Sequence, residues 1–160
     1  MKHLPKHLRP RWRYLAVAIE TWADGSLDES AVQAAFWDAA RALLGDPGSA
    51  DVRLDIVRFT VDAGGGTILV RVRRGEVDRG RAAIACVDAV DDHPVGLEVV
   101  GVSGTIRAAE EKYMNAPAGP GDEERVVFQS AAHRAVHRAD GRYDIYEAGE
   151  VTGATELDLE

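Results

Sequence analysis

Between Tyr14 and Met114 the hydrophobic period switches back and forth between two and 3.6 residues, and the order of the switches restricts the fold more than anything else. Residues 14–20 alternate Leu15, Val17 and Ile19 against Tyr14, Ala16 and Ala18, the pattern of a strand. A helix is expected from Ser26, which stands three residues before Glu29 as in a capping box. Val32, Ala35, Phe36, Ala39, Leu43 and Leu44 make its inner stripe, and Gly45 ends it with Pro47 just beyond. Residues 52–61 and 67–73 read as two strands of a hairpin joined by the glycine-rich loop 62–66. In the second, Ile68, Val70 and Val72 face one way and Leu69, Arg71 and Arg73 the other.

Gly75 leads into a second helix, from Glu76 to about Val90, with Val77, Ile84 and Val87 on one side; Asp91, Asp92, His93 and Pro94 break it. The stretch LEVVGVSGTIRAAEEKYM (97–114) then gives a buried strand bearing Leu97, Val99, Val100 and Val102. It turns at Ser103-Gly104-Thr105 into a third helix, with Ile106, Ala109 and Tyr113 inward and Arg107 and Glu111 placed to pair. Strand, helix, strand, strand, helix, strand is the α+β, ferredoxin-like or RNA-recognition-motif-like sandwich, β-α-β-β-α-β plus a C-terminal helix. The third helix is left to cover an edge or the open face of an antiparallel four-stranded sheet.

Charge divides the chain further. The formal net charge is -8, yet residues 1–13 carry Lys2, Lys6, Arg9, Arg11 and Arg13 with no acid. They read as a basic N-terminal arm, extended because of Pro5 and Pro10. Residues 14–114 form the sandwich domain, and residues 115–160 an acidic, partly disordered extension. Within it, 115–124 has the composition of a linker, 126–128 and 143–146 of short strands, 130–138 of a helical turn or two, and 149–160 of a mobile acidic end. Only three of the nineteen basic residues are lysine, and Asp, Glu and Ala abound, a composition suited to a salt-loving microbe or a high-GC genome.

Several function classes drop out. Cys86 is the only cysteine, so no intramolecular disulfide forms, and an inert thiol buried on a helix face is expected. No apolar run is long enough to span a membrane and the basic start lacks a signal-peptide core, so a cytoplasmic protein is expected. Gly64-Gly65-Gly66-Thr67 lies between strands and opens no helix, unlike a phosphate loop. His133 and His137 would share a helix face but lack a third ligand or the glutamate of a zincin. The acidic runs Asp91-Asp92 and Asp122-Glu123-Glu124 read as solvated surface, and Ser103 has no base evident in sequence. No catalytic set and no metal site of the chain's own is expected.

The basic residues make a better case. Lys6, Arg9, Arg11 and Arg13 on the arm, Arg71, Arg73 and Arg74 ending the third strand, Arg79 and Arg81 on the second helix, and Arg107 and Lys112 on the third are the candidate RNA-binding set. The competing reading pairs them with the many acids nearby. An RNA-recognition motif stacks bases on aromatics of its central strands, whereas TILVRVRR has none and the first strand offers only Tyr14. Contact with structured RNA through backbone and shape is the version that fits.

The chain resembles the archaeal and eukaryotic ribonuclease P protein component 2 family. LRPRWRYLAVAI, AVQAAFWDAARALLG, GTILVRVRR and, most specifically, GVSGTIRAAEEKYM carry the likeness over roughly residues 4–114. The resemblance implies a non-catalytic subunit of an endoribonuclease holoenzyme that removes the 5′ leader from precursor tRNA. The RNA subunit would carry the Mg²⁺-dependent chemistry, with no cofactor bound by this chain. Implied partners are ribonuclease P RNA, ribonuclease P protein component 3 and the other protein subunits, precursor tRNA, and a second copy of the chain. The alternatives are a dimeric ferredoxin-like regulatory domain that binds a small ligand at its strand–helix turns and, behind it, an intrinsic nuclease.

Overall fold

The computed structural model describes residues 4–22, 25–114, 122–138, 141–147 and 150–159. The chain divides into two compact units, Met1–Ala118 and Gly119–Glu160. The first holds β1 (Trp12–Glu20), α1 (Glu29–Val52), β2 (Asp55–Asp62), β3 (Gly65–Arg73), α2 (Val77–Ala85), β4 (Ala89–Val90), β5 (His93–Pro94), β6 (Gly96–Ser103) and α3 (Ile106–Tyr113). Its main sheet has the order β2-β3-β1-β6 with every neighbour antiparallel, the order of a ferredoxin-like sandwich.

The period-two pattern assigns the two faces. Leu15, Val17, Ile19, Ile68, Val70 and Val72 join Val32, Phe36, Ala83 and Ile84 of α1 and α2 in the main core. Ala16 and Leu69, one residue out of step, bury on the opposite face against Ala109 of α3, with Tyr14, Val57, Ile106 and Tyr113 around them. α3 therefore covers the sheet face rather than an edge. Thr105 caps it by accepting from the Ala108 N–H at 3.2 Å, and Arg58 of β2 grips Glu110 at 2.8 Å.

Local corrections follow from side chains the periodicity does not weigh. Asp28, not Ser26, caps α1, its carboxylate accepting from the Ala31 N–H at 3.1 Å. Gly45 does break the helix, at φ 70°, but the helix resumes through Pro47 and closes at Val52 with Arg53 in the left-handed region at φ 54°. β2 consequently starts at Asp55 and not at residue 52. Leu43 is exposed, and Ala40 takes the buried place in the stripe. The hairpin is tighter than expected, with Asp62 opposite Gly65 and only Ala63 and Gly64 between. α2 ends at Ala85, because Val87 turns back into the core and Asp91 and Asp92, both at positive φ, fold residues 89–94 into a small hairpin. Cys86 caps that shortened helix and is exposed, not buried. Val100 bulges out of β6 between the residues facing Ala16 and Val17, and is exposed.

The second unit is a four-stranded antiparallel meander of β7 (Asp122–Phe128), β8 (Ala131–His137), β9 (Arg142–Glu147) and β10 (Glu150–Thr155). Val126, Ala135, Ile145 and Ala154 form its core with Phe128, Tyr143 and Leu159. The helical turn expected at 130–138 is strand β8, because its backbone is paired on both sides, by β7 and by β9. His133 and His137 thus sit about 13 Å apart along a strand, too far to share a metal. The acidic end expected to be mobile instead supplies β10, whose residues pair with β9 throughout, from Glu150 opposite Glu147 to Thr155 opposite Arg142. Of the linker expected at 115–124, residues 122–124 instead open β7, and residues 115–121 lie outside the described residues.

Candidate nucleic-acid interface

β1 begins where β3 and β6 end, as Trp12 stands opposite Arg73 and Tyr14 opposite both Arg71 and Ser103. One end of the sheet therefore collects the arm, the β3–α2 connection and the β6–α3 turn. The Arg74 N–H donates to the Arg11 carbonyl at 2.9 Å, which extends the β1–β3 ladder and pins the arm beside β3. Leu8, Pro10, Arg11, Arg73 and Arg74 line an open depression of about 360 Å³ there. Arg13 donates to the Trp12 carbonyl at 3.2 Å and reaches over the β6–α3 turn, its Nη1 lying 3.7 Å from where a side chain on Gly104 would begin. The arm is not wholly extended: Lys6–Leu8 makes one 3-10 turn closed by the Leu8 N–H on the Pro5 carbonyl, and Arg9 folds back to the Leu4 carbonyl at 2.9 Å.

The other candidates are differently employed. Arg71 bonds Asp55 at 2.7 Å and lies over the Trp12 ring at 4.3 Å, so it staples β2, β3 and β1 together. Arg79 pairs with Glu76 at 3.0 Å and rests against Gly48 of α1, where a Cβ would meet its Nη2 at 2.6 Å. Arg81 is exposed on α2. Arg107 pairs with Glu111 at 2.8 Å on the outside of α3. Lys112, in the last turn of α3, lies 5.1 Å from the Tyr113 ring, away from the depression's end of that helix. The structure thus gathers Arg11, Arg73 and Arg74, with Arg13 alongside, and leaves Lys112 apart.

Sequence reasoning missed Trp12 and Arg53. β1 starts at Trp12, so the strand presents two aromatics, Trp12 and Tyr14, to the α3 side. Neither is an open stacking platform. Arg71 covers Trp12, with Arg53 at 5.6 Å, and Tyr14 packs into the cluster beneath α3. The signal was in the sequence, as Trp12 and Tyr14 are two apart and Arg53 stands two before Asp55. Among the described residues no group of three His, Cys, Asp or Glu side chains is placed to hold a metal. No described helix is long and apolar enough to cross a membrane.

The chain is thus a ferredoxin-like sandwich with one sheet face closed by a helix and with Arg11, Arg13, Arg73 and Arg74 at one end of the sheet. The chain belongs to the Rpp14/Pop5 family, whose model matches residues 13–114. It is 52% identical over 160 residues to ribonuclease P protein component 2 of Halorubrum lacusprofundi, covering 100% of each chain. The protein of that name from Haloarcula marismortui is 49% identical over 161 residues, covering 99% of each, and that of Thermococcus gammatolerans 34% over 113, covering 71% of this chain and 91% of its own. A chain in the cryo-EM structure of yeast ribonuclease MRP aligns at a TM-score of 0.48 with 17% identity, over 62% of this chain and 79% of that one, too loosely to carry an argument. The Halorubrum and Haloarcula relatives are aligned through the extension beyond residue 114, and a salt-loving source agrees with the Lys-poor, acid-rich composition of this chain.

Proposed function

We infer that the chain is a protein component of ribonuclease P, the endoribonuclease that removes the 5′ leader of precursor tRNA. It serves there as a support for the RNA and not as the catalyst. The observation that carries this reading is the 52% identity, along its whole length, to a ribonuclease P protein component 2. The basic sheet end supplies a physical role. Arg11, Arg73 and Arg74 surround a depression wide enough for a phosphate, and guanidinium forks bind phosphate oxygens two at a time. Lys6, Arg9 and Arg13 extend the surface along the arm; Arg79, Arg81 and Arg107 border it; Arg71 positions it through Trp12 and Asp55.

The partners in this reading are ribonuclease P RNA, precursor tRNA held by the assembled complex, ribonuclease P protein component 3 and the other protein subunits, and a second copy of this chain. The complex works in the cytoplasm, and the Mg²⁺ of the reaction belongs to the RNA. Reconstitution tests the reading. Cleavage of a precursor tRNA by ribonuclease P RNA and its other proteins should rise when this chain is added, at a Mg²⁺ concentration where the RNA alone is slow. Unchanged cleavage with a properly folded chain contradicts it.

A further inference from the structure

Trp37, the bulkiest residue of α1, follows the buried Phe36 and yet is 46% exposed. Its polar edge is not what is left open. The indole Nε1–H donates to the Leu54 carbonyl at 2.7 Å. The Gln33 amide donates to the same oxygen at 2.9 Å and accepts from the Ile56 N–H at 2.7 Å. Leu54 is itself buried, so the ring is clamped against the entry to β2. A side chain already fixed loses little further freedom when a ligand stacks on it.

The break at Gly45 shapes what lies beside the ring. The helix resumes after it, and Trp37, Arg41, Asp46, Ser49, Arg53 and Asp55 line an open depression of about 340 Å³. Two arginines balance two carboxylates there, so the site is not one that holds a phosphate by charge alone. Arg53 is the group with hydrogen bonds to give. The Asp55 Oδ2 is taken by Arg71 at 2.7 Å and stands 3.7 Å from the Arg53 Nε, beyond hydrogen-bond reach, and the Arg53 side chain is half exposed. Its guanidinium carbon also lies 5.6 Å from the centre of the Trp12 ring, and Trp12 stands opposite Arg73. The depression therefore adjoins the sheet end that carries Arg11, Arg73 and Arg74.

A flat, uncharged ring with acceptors on its edge, attached to a phosphate backbone, matches all three features: an aromatic ring, a guanidinium fork and a basic surface next to them. We propose that Trp37 and Arg53 hold one unpaired nucleobase of the bound RNA, the base stacked on the indole and its edge accepting from the guanidinium. The sheet face cannot offer such stacking, because Arg71 covers Trp12 and α3 covers Tyr14; α1 supplies it instead. The identity of the RNA rests on the ribonuclease P reading; the stacking site does not.

The test measures affinity of the full chain against salt concentration, on ribonuclease P RNA and on an unrelated RNA of equal length with unpaired loops. Trp37→Ala should weaken binding roughly 5- to 100-fold, the range of one lost base–aromatic stack. Because a stacked base releases no counterions, the slope of log affinity against log salt should stay as in the wild type. Trp37→Phe, which keeps a ring but loses the bond to Leu54, should retain most of the affinity, and Arg53→Gln should lower it several-fold. Circular dichroism with thermal melting identifies variants that fold. Unchanged affinity in folded Trp37→Ala or Arg53→Gln overturns the proposal, as does a loss in Trp37→Phe equal to that in Trp37→Ala. Unchanged RNA affinity with lost capture of ribonuclease P protein component 3 overturns it in favour of a protein anchor. If both RNAs bind equally well and lose affinity equally, the stacking site stands and the ribonuclease P reading falls.

Discussion

The ring of Tyr113 occupies the space that a side chain on residue 101 would fill: a Cβ built on Gly101 would fall within the ring's Cζ and Cε1 atoms. A glycine in an edge strand is thus the seat on which α3 lies. Gly101→Ala should push Tyr113 off the sheet and cost about 1–3 kcal/mol of stability, the range of an overpacked core site. Denaturant unfolding checks this, and a double mutant with Tyr113→Ala should be less destabilised than the two single effects added. Strict additivity contradicts the contact.

Arg71 and Arg74, three residues apart, should fail differently. Arg71→Ala removes the bond to Asp55 and the cover over Trp12, so it should lower stability by about 1–3 kcal/mol. Arg74→Ala should leave stability within about 0.5 kcal/mol, as surface changes do, and weaken RNA binding. Equal stability losses in both variants would remove the distinction between staple and ligand group.

Cys86, exposed at the end of α2, should react with a maleimide in the native protein nearly as fast as in denaturant. Labelling that waits for unfolding would show a buried thiol.

Asp158 gives a pH dependence to the C-terminal unit. The Thr155 N–H donates to its carboxylate at 2.8 Å and the Thr155 hydroxyl adds a second bond, together holding its pKa below the ordinary 3.8. A depressed folded-state pKa stabilises the fold above the unfolded value and loses that contribution as pH falls through the folded one. A carboxyl resonance titrating below the ordinary value checks the direction, and Asp158→Asn should flatten the acid side of the unit's stability profile. Titration at or above 3.8 contradicts the bonds.

The sandwich was legible because its signals are local. Ile68, Val70 and Val72 alternate against Leu69 and Arg71, and the order of elements admits few topologies. What escaped were the places where one contact overrides a pattern. Asp28 outcompeted Ser26 for the helix start, and the apolar run from Ala82 to Val90 divided between a helix and a hairpin because Asp91 and Asp92 tolerate positive φ. The meander of the extension was half hidden, since each strand is short and its pairing partner is known only from the register. The basic residues were legible as a class. Their division between Arg71, bonded into the fold, and Arg11, Arg73 and Arg74, facing the depression, depends on three-dimensional neighbours that no spacing encodes.

The most direct measurement is to purify the tagged chain from its own cells at native salt and sequence the RNA that accompanies it. Strong enrichment of ribonuclease P RNA, with component 3 in the same fraction and both reduced when Arg11, Arg73 and Arg74 are changed to Ala, is the predicted result. A folded chain that comes through free of RNA and of those proteins would contradict the account.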